Sequence, residues 1–319
     1  MIVAQDSTGQ FTTIQAAVDS LPKNNRQTIT IQIKEGIYEE KLVIDKPNIT
    51  IESIGRDKVI ITFGDYARRI QKNGEEMGTF GSYTSLITGD NFSAKNVTFQ
   101  NHAGPGSIVG QALAVYVDAD RISFENCSFL GNQDTVFTGP LPPKPMKGDR
   151  FGGPRDGLVR TVGRSYFKNC YIEVDVDFIF GSATSVFHQC EIFCLDRSMD
   201  VNGYLTAAST PEDTKFGYVF IDCHLTSNAA PNTVYLGRPW RNYAKTAFIN
   251  CWMGSHIKEE GWHNWNKPEA EKTTCYAEYN SYGPGGNMDR RVRWAKQLTE
   301  EEAKEYSIKT ILGNWKNEC

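Results

Sequence analysis

A short segment of alternating apolar and polar residues recurs six times, and this repeat constrains the fold more than any other feature. Five copies carry an Asn, Gln or Asp followed directly by a cysteine. Counted from Asn101 in the first copy, the amide or acid positions are separated by 25, 43, 20, 33 and 28 residues. The copies are residues 97–101, 122–129, 166–172, 186–192, 219–225 and 247–253.

Alternation with a period of two is typical of a half-buried β-strand. Strands this short cannot stand alone, so we expect the copies to stack as parallel strands. The spacing is irregular but is never shorter than 20 residues. This indicates a solenoid in which insertions of different length project from one side of the coils. The repeat therefore predicts an all-β fold, a parallel β-helix, with the amide positions forming hydrogen-bonded ladders between coils.

The open ends of such a solenoid expose strand edges that something must cover. Residues 13–21 place apolar side chains at helical spacing, which predicts an N-terminal capping helix. Residues 299–302, Thr-Glu-Glu-Glu, are typical of a capping box and predict a C-terminal helix that ends near Gly313. We expect coils over residues 28–282, a tail and helix over 283–319, and one domain throughout.

Composition excludes several classes of protein. Hydrophobic residues make up 39% and charged residues 23%, which supports a large core and excludes disorder. The chain lacks a run of about 18 apolar residues, so we expect no membrane span. The net charge of −4 argues against a nucleic-acid partner. We expect a monomer.

The first residues lack signal-peptide character, so the protein is either cytoplasmic or begins after a removed leader.

Five of the eight cysteines occupy the same repeat position, and we expect them to form a row of small buried hydrophobes. A disulfide framework is not expected in a chain with so ample a core. A metal site is not expected either, since CxxC and His–Cys spacings are lacking. The five cysteines are Cys127, Cys170, Cys190, Cys223 and Cys251.

Two aspartates are the best candidates for chemistry. Asp134 and Asp177 each follow a repeat strand, and Asp177 lies among apolar residues. A buried carboxyl group needs a partner, so each is either a turn residue that caps backbone amides or part of a site. Coils stacked about 4.8 Å apart would bring both to one reacting carbon. Asp175 either raises the pKa of Asp177 by repulsion or is solvated at the coil edge.

Neutral and cationic donors lie nearby in sequence. Arg238 suits bidentate pairing with a carboxylate, and Trp240 on the same loop suits stacking on a sugar ring. Gln111 and Gln133 are either donors to a reacting oxygen or members of an amide ladder. The G-x-S-x-G, G-x-G-x-x-G and Walker A patterns are absent from the sequence, which argues against a serine hydrolase and against nucleotide chemistry.

These segments resemble the pectin methylesterase (pectinesterase) family over essentially the whole chain. Its G-x-Q-D-T, V-D-F-I-F-G and L-G-R-P-W signatures stand here at residues 131–135, 176–181 and 236–240. Residues 79–84 resemble its substrate-binding segment, and residues 9–21 resemble its capping helix. The resemblance implies a right-handed parallel β-helix and hydrolysis of methyl esters in homogalacturonan or oligogalacturonates, without metal or cofactor.

The resemblance also assigns roles. It makes Asp177 the nucleophile and Asp134 the general acid and base, with Gln111 and Gln133 as the oxyanion hole. Arg238 would orient Asp177 and keep it ionised. The residues expected to line the sugar groove are Thr84, Trp240, Phe80, Phe137 and Trp265.

The sequence departs from the family pattern in two places. Residues 139–145 belong to a Pro- and Gly-rich insertion that could reshape the groove, and Asp175 stands where relatives commonly have a small or polar residue. The lack of a preceding inhibitory segment favours the bacterial type.

Three other functions remain open on the residues alone. A retaining glycosidase also uses two carboxylates but leaves the glutamines unexplained. A pectate lyase needs an acidic calcium cluster, which the sequence does not display. A non-catalytic glycan-binding β-helix would explain the repeats and aromatics but not the buried aspartates beside an arginine.

Overall fold

The computed structural model describes residues 1–55, 58–146 and 148–315, and most of its regular structure is short strands. The strands of the first part are β1 (Ile2–Val3), β2 (Ile29–Ile33), β3 (Gly36–Glu39), β4 (Leu42–Ile44), β5 (Ile49–Ser53), β6 (Val59–Phe63), β7 (Ser85–Ile87), β8 (Ser93–Lys95), β9 (Val97–Asn101), β10 (Val115–Val117), β11 (Ile122–Glu125), β12 (Ser128–Leu130) and β13 (Val136–Thr138). Those that follow are β14 (Arg164–Lys168), β15 (Tyr171–Val174), β16 (Ile179–Gly181), β17 (Thr184–His188), β18 (Glu191–Cys194), β19 (Gly203–Tyr204), β20 (Thr206–Ala208), β21 (Tyr218–Ile221), β22 (His224–Ser227), β23 (Val234–Tyr235), β24 (Lys245–Ile249), β25 (Trp252–Met253), β26 (Cys275–Tyr279) and β27 (Lys296–Gln297).

Helices are few and short. The α-helices are α1 (Ile14–Asp19), α2 (Gly106–Val109), α3 (Glu300–Ala303) and α4 (Ile308–Leu312). Single 3₁₀ turns cover Thr79–Gly81, Pro268–Lys272, Lys304–Tyr306 and Gly313–Trp315. No helix in the described part of the chain is long and apolar enough to cross a membrane.

Three long sheets run side by side along the molecule, and their strands pair in parallel. Sheet 1 has the order β1-β2-β5-β8-β11-β14-β17-β21-β24-β26-β27. Sheet 2 has the order β25-β22-β18-β15-β12-β9-β6-β3, and sheet 3 has the order β20-β16-β13-β10-β7-β4. From β2 to β16 each coil gives one strand to each sheet, as β11, β12 and β13 do before β14, β15 and β16. The predicted parallel β-helix is confirmed.

The interior is filled by side chains that repeat from coil to coil. Five phenylalanines occupy the same register on sheet 1, and neighbouring rings stack with centroids 4.5–4.9 Å apart. All five are fully buried, so the stack runs through the centre of the solenoid. They are Phe124, Phe167, Phe187, Phe220 and Phe248.

The turn between sheets 1 and 2 is here named the asparagine corner. One residue of each coil adopts left-handed backbone there, with φ between 51° and 56°. This conformation favours Asn and Asp over other non-glycine residues. Amide ladders form as predicted: Asn250 Nδ2 donates to Asp222 Oδ1 at 3.2 Å, and Asn280 Nδ2 donates to Asn250 Oδ1 at 3.1 Å. The corner residues are Asn96, Asn126, Asn169, Gln189, Asp222, Asn250 and Asn280.

The sequence pattern predicts the wrong residue for the asparagine corner of the first repeat. Asn96, not Asn101, occupies the asparagine corner, because β8 rather than β9 pairs with β11. Asn101 ends β9 on sheet 2, where its buried Nδ2 donates to three backbone carbonyls, those of Asp65, Ser82 and Leu113. Val97 stands where later coils have cysteine, which removed the cue for the register.

The repeat cysteines directly follow the asparagine corner and point into the core. All five are buried and free, as predicted. Their thiols donate to backbone carbonyls of the preceding coil, for example Cys170 Sγ to Phe124 O at 3.6 Å. Cys319 lies outside the described residues.

The N-terminal end is covered by α1, as predicted. Its apolar face, Ile14, Ala17 and Val18, is part of the main core. Glu40 accepts hydrogen bonds from the first two helical N–H groups, and Lys46 donates to carbonyls at the other end. Both charges complement the helix dipole.

The C-terminal segment differs from its prediction. The capping box at Thr299 is present, but the predicted single helix is broken at Ser307, whose side chain caps α4. The segment does not close the end of the solenoid. Ile311 and Leu312 of α4 pack instead on the outer face of sheet 1, and Arg164 donates to the Leu312 carbonyl at 2.8 Å.

The C-terminal end of the core is closed by residues near 290. Arg291 pairs with the fully buried carboxylate of Glu278 at 2.9 Å and also donates to backbone carbonyls. Trp262 donates to the same carboxylate at 3.3 Å and stacks on Tyr276. A buried ion pair joined by several hydrogen bonds fixes the last coil in place.

Candidate active site

The turn between sheets 2 and 3 carries the two aspartates and is here named the catalytic corner. Asp134 follows β12 and Asp177 follows β15, one coil further on. Both have left-handed backbone, with φ of 65° and 49°. The Asp134 N–H donates to Val176 O at 3.0 Å, and Gln133 and Val176 form a parallel bridge. The two carboxyl groups therefore lie on neighbouring coils at the same corner, as predicted.

Arg238 holds the Asp177 carboxylate. Its Nε donates to Asp177 Oδ1 at 2.9 Å and its Nη2 to Asp177 Oδ2 at 2.5 Å, which is a bidentate pair. The guanidinium lies 3.8 Å from the ring centroid of Tyr204 and 3.7 Å from that of Trp265. Both rings stabilise the Arg238 guanidinium through cation–π interactions and restrict its motion. Because the guanidinium holds both carboxylate oxygens, the orientation of Asp177 is fixed as well.

The two aspartates differ in their cationic partners. Burial raises the pKa of Asp134 well above its usual range, the neighbouring Asp177 charge adds to the effect, and Arg238 opposes it. Burial also raises the pKa of Asp177, and Arg238 opposes this directly through its charge and its hydrogen bonds. Among the described residues, Asp134 has no ion pair of its own. Arg238 therefore favours the ionised form of Asp177 more directly than that of Asp134.

The two glutamines lie beside the aspartates on consecutive coils. The Ala112 N–H, next to Gln111, donates to Gln133 O at 3.1 Å, so the two segments stack. Gln133 also hydrogen-bonds to Asp134 through its side chain. A Cβ on Gly106 would lie 2.5 Å from Gln133 Oε1, so α2 can approach this amide only because residue 106 is glycine.

A cavity of about 260 Å³ joins these groups. It brings together both aspartates, both glutamines and Arg238, and apolar side chains form the remaining walls. The apolar walls suit a sugar ring, while the polar groups converge on one side. The lining residues are Thr79, Phe80, Gln111, Gln133, Asp134, Asp177, Phe180, Ala207, Arg238, Trp240 and Trp265.

Aromatic rings form the floor of the groove. Phe80 stacks on Trp240 with centroids 6.4 Å apart, and Phe180 lies 5.7 Å from Trp240. Phe80, Trp240 and Trp265 line the cavity as expected. Phe137 does not line it, because its fully buried ring lies beneath Phe80 and Phe180.

Thr84 does not line the groove either. It is fully buried, and its hydroxyl donates to the Gln100 carbonyl at 2.8 Å. Thr79, at the start of the same segment, lines the cavity instead. The 3₁₀ turn Thr79–Gly81 reverses the chain, so only its first residues face the groove.

The insertion borders the groove. Phe151 packs against Phe80 and Trp240, with centroids 5.5 and 6.2 Å apart. Arg241, next to Trp240, donates to the Lys144 carbonyl at 2.6 Å. A second cavity of about 1030 Å³ lies between residues 75–78 and residues 140–145, 149–153 and 155–160. The insertion thus extends the wall of the groove on the side of Trp240.

Several residues at the site carried no recognisable sequence signal. Ala207 on β20 shares the register position of Phe180 on β16, which lies in the V-D-F-I-F-G signature, and only the strand pairing reveals this. Tyr204 ends β19 and Arg197 lies in the loop before that strand, and both are outside the motifs. In the described ranges, no cluster of three or more His, Cys, Asp or Glu side chains could hold a metal ion.

Comparison with known proteins identifies the family of the chain. The family described as Pectinesterase matches residues 1–140 and 148–314. Pectinesterase 31 of Arabidopsis thaliana is 35% identical over 308 residues, covering 94% of this chain and 88% of that protein.

Solved structures show the same fold. A pectin methylesterase from carrot is 29% identical and superposes with a TM-score of 0.81, covering 98% of this chain and 92% of its own. A pectin methylesterase in complex with a hexasaccharide is 30% identical with a TM-score of 0.80, covering 98% and 97%.

Fold and comparisons together define a carboxylic ester hydrolase built on a parallel β-helix. The chain belongs to the pectinesterase family. The bacterial type expected from the sequence stays a prediction.

Proposed function

We propose that this protein hydrolyses the methyl esters of galacturonate units in pectin, with Asp177 as nucleophile and Asp134 as general acid and base. The observation that carries the proposal is the unequal treatment of the two aspartates. Arg238 pairs with Asp177 at 2.9 and 2.5 Å, whereas Asp134 is buried beside it with a raised pKa. One ionised and one protonated carboxyl group are what two-step ester hydrolysis requires at its start.

In the first step an Asp177 oxygen attacks the ester carbonyl carbon. The carbonyl π electrons move to its oxygen, and the side-chain amides of Gln111 and Gln133 donate hydrogen bonds to the resulting oxyanion. Neutral donors suit this role because they stabilise the new charge without competing with Arg238 for Asp177.

The tetrahedral intermediate then expels the methoxy group. Methoxide is a poor leaving group, so Asp134 transfers its proton to the methoxy oxygen as the C–O bond breaks. Methanol departs, and the galacturonyl group remains bound to Asp177 as a mixed anhydride.

In the second step Asp134, now ionised, takes a proton from water. The hydroxide so formed attacks the galacturonyl carbonyl carbon, and the Asp177 carboxylate leaves. The product is a free galacturonic acid group, which releases its proton to solvent and becomes galacturonate, and the proton taken from water remains on Asp134. The cycle consumes one water and releases one methanol.

The aromatic walls position the substrate. Trp240 and Trp265 are partly exposed at the cavity and can stack on sugar rings, while Phe80 supports Trp240 from beneath. The related structure that holds a hexasaccharide supports an oligosaccharide of pectin as the ligand. We further propose that the protein acts as a monomer, which light scattering of the purified protein would test.

Three product assays test the proposal. Incubation with methylated pectin should release methanol without new reducing ends and without unsaturated sugars. New reducing ends would indicate a glycosidase, and unsaturated products would indicate a lyase. Binding of pectin with no product of any kind would favour a glycan-binding module.

A further inference from the structure

A third carboxyl group, that of Asp175, is buried beside the catalytic pair. Its side chain is 5% exposed, and its Oδ1 has no hydrogen-bond partner within the described residues. The Asp175 N–H donates to Asn132 O at 3.1 Å, so Asp175 and Asp177 lie above Asn132 and Asp134 on the neighbouring coil. A buried acid with an unpartnered oxygen is costly and calls for a reason.

The next coil seals Asp175 from solvent. A Cβ on Gly203 would lie only 2.0 Å from the Asp175 carbonyl oxygen, so the backbone of β19 can pack here only because residue 203 is glycine. The burial of Asp175 is thus built into the stacking of two coils and cannot be relieved by a small shift of a loop.

Arg197 provides the nearest compensating charge. Its backbone N–H donates to Asn202 Oδ1 at 2.6 Å and its Nη1 to Asn202 O at 3.0 Å, which fixes the loop before β19. Its charge acts on both Asp175 and Asp177 and opposes the rise in their pKa.

The charges of this cluster balance only when it holds one proton. Three carboxyl groups, of Asp134, Asp175 and Asp177, face two guanidinium groups, of Arg197 and Arg238. Fully ionised, the cluster carries −3 + 2 = −1, and one bound proton makes it neutral. Both arginines act on Asp177, Arg197 also acts on Asp175, and Arg238 acts on Asp134 less strongly than burial and the Asp177 charge do. Of the three carboxyl groups, Asp134 is therefore the one whose protonated form is favoured most.

We propose that Asp175 is a positioning residue whose buried charge keeps the catalytic proton on the Asp134–Asp177 pair. This inference rests on the proposed function, because it concerns the proton that leaves with methanol. With a neutral residue at position 175 the pair would face two arginines and be balanced without a proton. Asp175 thus extends to higher pH the range in which the general acid is loaded.

Lys267 is a further cation near Arg238: its Nζ lies 4.8 Å from the Trp265 ring, and burial together with the charges of Arg241 and Arg238 lowers its pKa to about 8. The other groups around the cluster carry no charge of their own. Burial raises the pKa of the Cys194 thiol to about 12 and that of the Tyr276 hydroxyl further still, so both are neutral. Burial and Arg238 lower the pKa of His263, which keeps it neutral too. Tyr204 faces the cluster as a ring against Arg238.

The test is the pH dependence of kcat/KM for methyl-ester hydrolysis by Asp175→Asn, a change that preserves shape and removes charge. Loss of a buried charge two residues before Asp177 should move both limbs of the profile to lower pH by roughly one unit. At one unit above the wild-type alkaline midpoint the variant should therefore be about tenfold slower. Asp222→Asn, at the solvent-exposed asparagine corner, is the control and should leave both limbs in place.

Arg197→Gln should move both limbs the other way, to higher pH. The double variant Asp175→Asn/Arg197→Gln restores a single unbalanced negative charge and should return the profile close to that of the wild type. A merely structural role would not produce opposite shifts that cancel. If Asp175→Asn does not fold, Arg197→Gln alone still decides, since unmoved limbs would overturn the inference.

Unmoved limbs in Asp175→Asn, or a shift to higher pH, would likewise overturn it. This failure is separate from failure of the proposed function. If Asp177→Asn is inactive while Asp175→Asn keeps the wild-type profile, the esterase mechanism stands and only the role of Asp175 is wrong.

Discussion

The asparagine corner and the catalytic corner use the same backbone conformation for opposite purposes. Asn169 and Asp222 at the first, like Asp134 and Asp177 at the second, have left-handed φ between 49° and 65°. At the asparagine corner the side chains are mostly exposed and hydrogen-bond along the stack. At the catalytic corner they are buried carboxyl groups with raised pKa values. The solenoid thus repeats one turn geometry, and burial of acids converts one set of turns into a site.

The two corners also differ in what they contribute to the stability of the fold. Amide side chains in a ladder satisfy one another, whereas like-charged carboxyl groups on adjacent coils repel and are costly to desolvate. Strain of this kind is expected where function requires it.

Removal of the nucleophile should have the largest effect. Asp177→Asn keeps the shape of the side chain but cannot form the mixed anhydride, so methanol release should be abolished. The matched control is Asp222→Asn, which has the same left-handed backbone at the asparagine corner and should keep full activity. Near-wild-type methanol release by Asp177→Asn would remove the functional distinction between the corners.

Asp134→Asn should slow methyl-ester turnover by about 10²–10⁴, the usual contribution of general acid–base catalysis. The loss should shrink for acylation by a galacturonate aryl ester, because a phenolate leaves without a proton. Rapid-quench measurements of phenol and methanol release would show this. An equal loss with both esters would mean that Asp134 does more than donate a proton.

Trp240→Ala should mainly raise KM. If the ring stacks on a sugar, the loss of binding free energy should be roughly 1–3 kcal/mol. Phe137→Leu is the control, because that ring is buried beneath the groove and does not line the cavity. Steady-state kinetics on methylated oligogalacturonates would measure both. An unchanged KM for folded Trp240→Ala would exclude this ring from the substrate site.

The stability of the fold should depend on which residue adopts the left-handed backbone at the asparagine corner. Asn169→Ala places a less tolerant residue in left-handed backbone and should lower the free energy of unfolding by about 1–2 kcal/mol, with Asn169→Gly costing less. Thermal unfolding would measure both. Equal losses for Ala and Gly would contradict the argument from backbone conformation.

The Asp134 proton should make the catalytic corner pH-sensitive. The folded state binds this proton more tightly than the unfolded state, so its stabilisation is complete below about pH 4 and is lost as pH rises through the folded pKa. Asp134→Asn lacks this loss, and its melting temperature relative to the wild type should therefore increase with pH.

Much of the fold follows from the sequence because the repeat is local and periodic. Alternating residues around Phe167 and Phe187 encode strands, and the Cys at the next position marks the corner. Where that cue is missing, as at Val97, the register was predicted one strand too late. The break at Ser307 was missed because a serine inside a helical pattern and a serine that caps a new helix have the same local sequence.

The site was predictable where motifs carry it and not elsewhere. Motifs identify Asp134, Asp177 and Arg238, which the structure brings together. They do not tell which residue of residues 79–84 faces the groove, because that depends on how the 3₁₀ turn is rotated. Arg197 was missed because its effect arises from coil stacking and not from neighbours in sequence.

The central claim is that Asp177 carries the galacturonyl group while Asp134 only moves protons. The most direct test is to quench Asp134→Asn during its reaction with a galacturonate aryl ester, digest the protein and locate the adduct by mass spectrometry. The account predicts one galacturonyl group on the peptide that contains Asp177, and none in Asp134→Asn/Asp177→Asn. An adduct on another residue, or phenol release in the single variant with no adduct at any time, would contradict it.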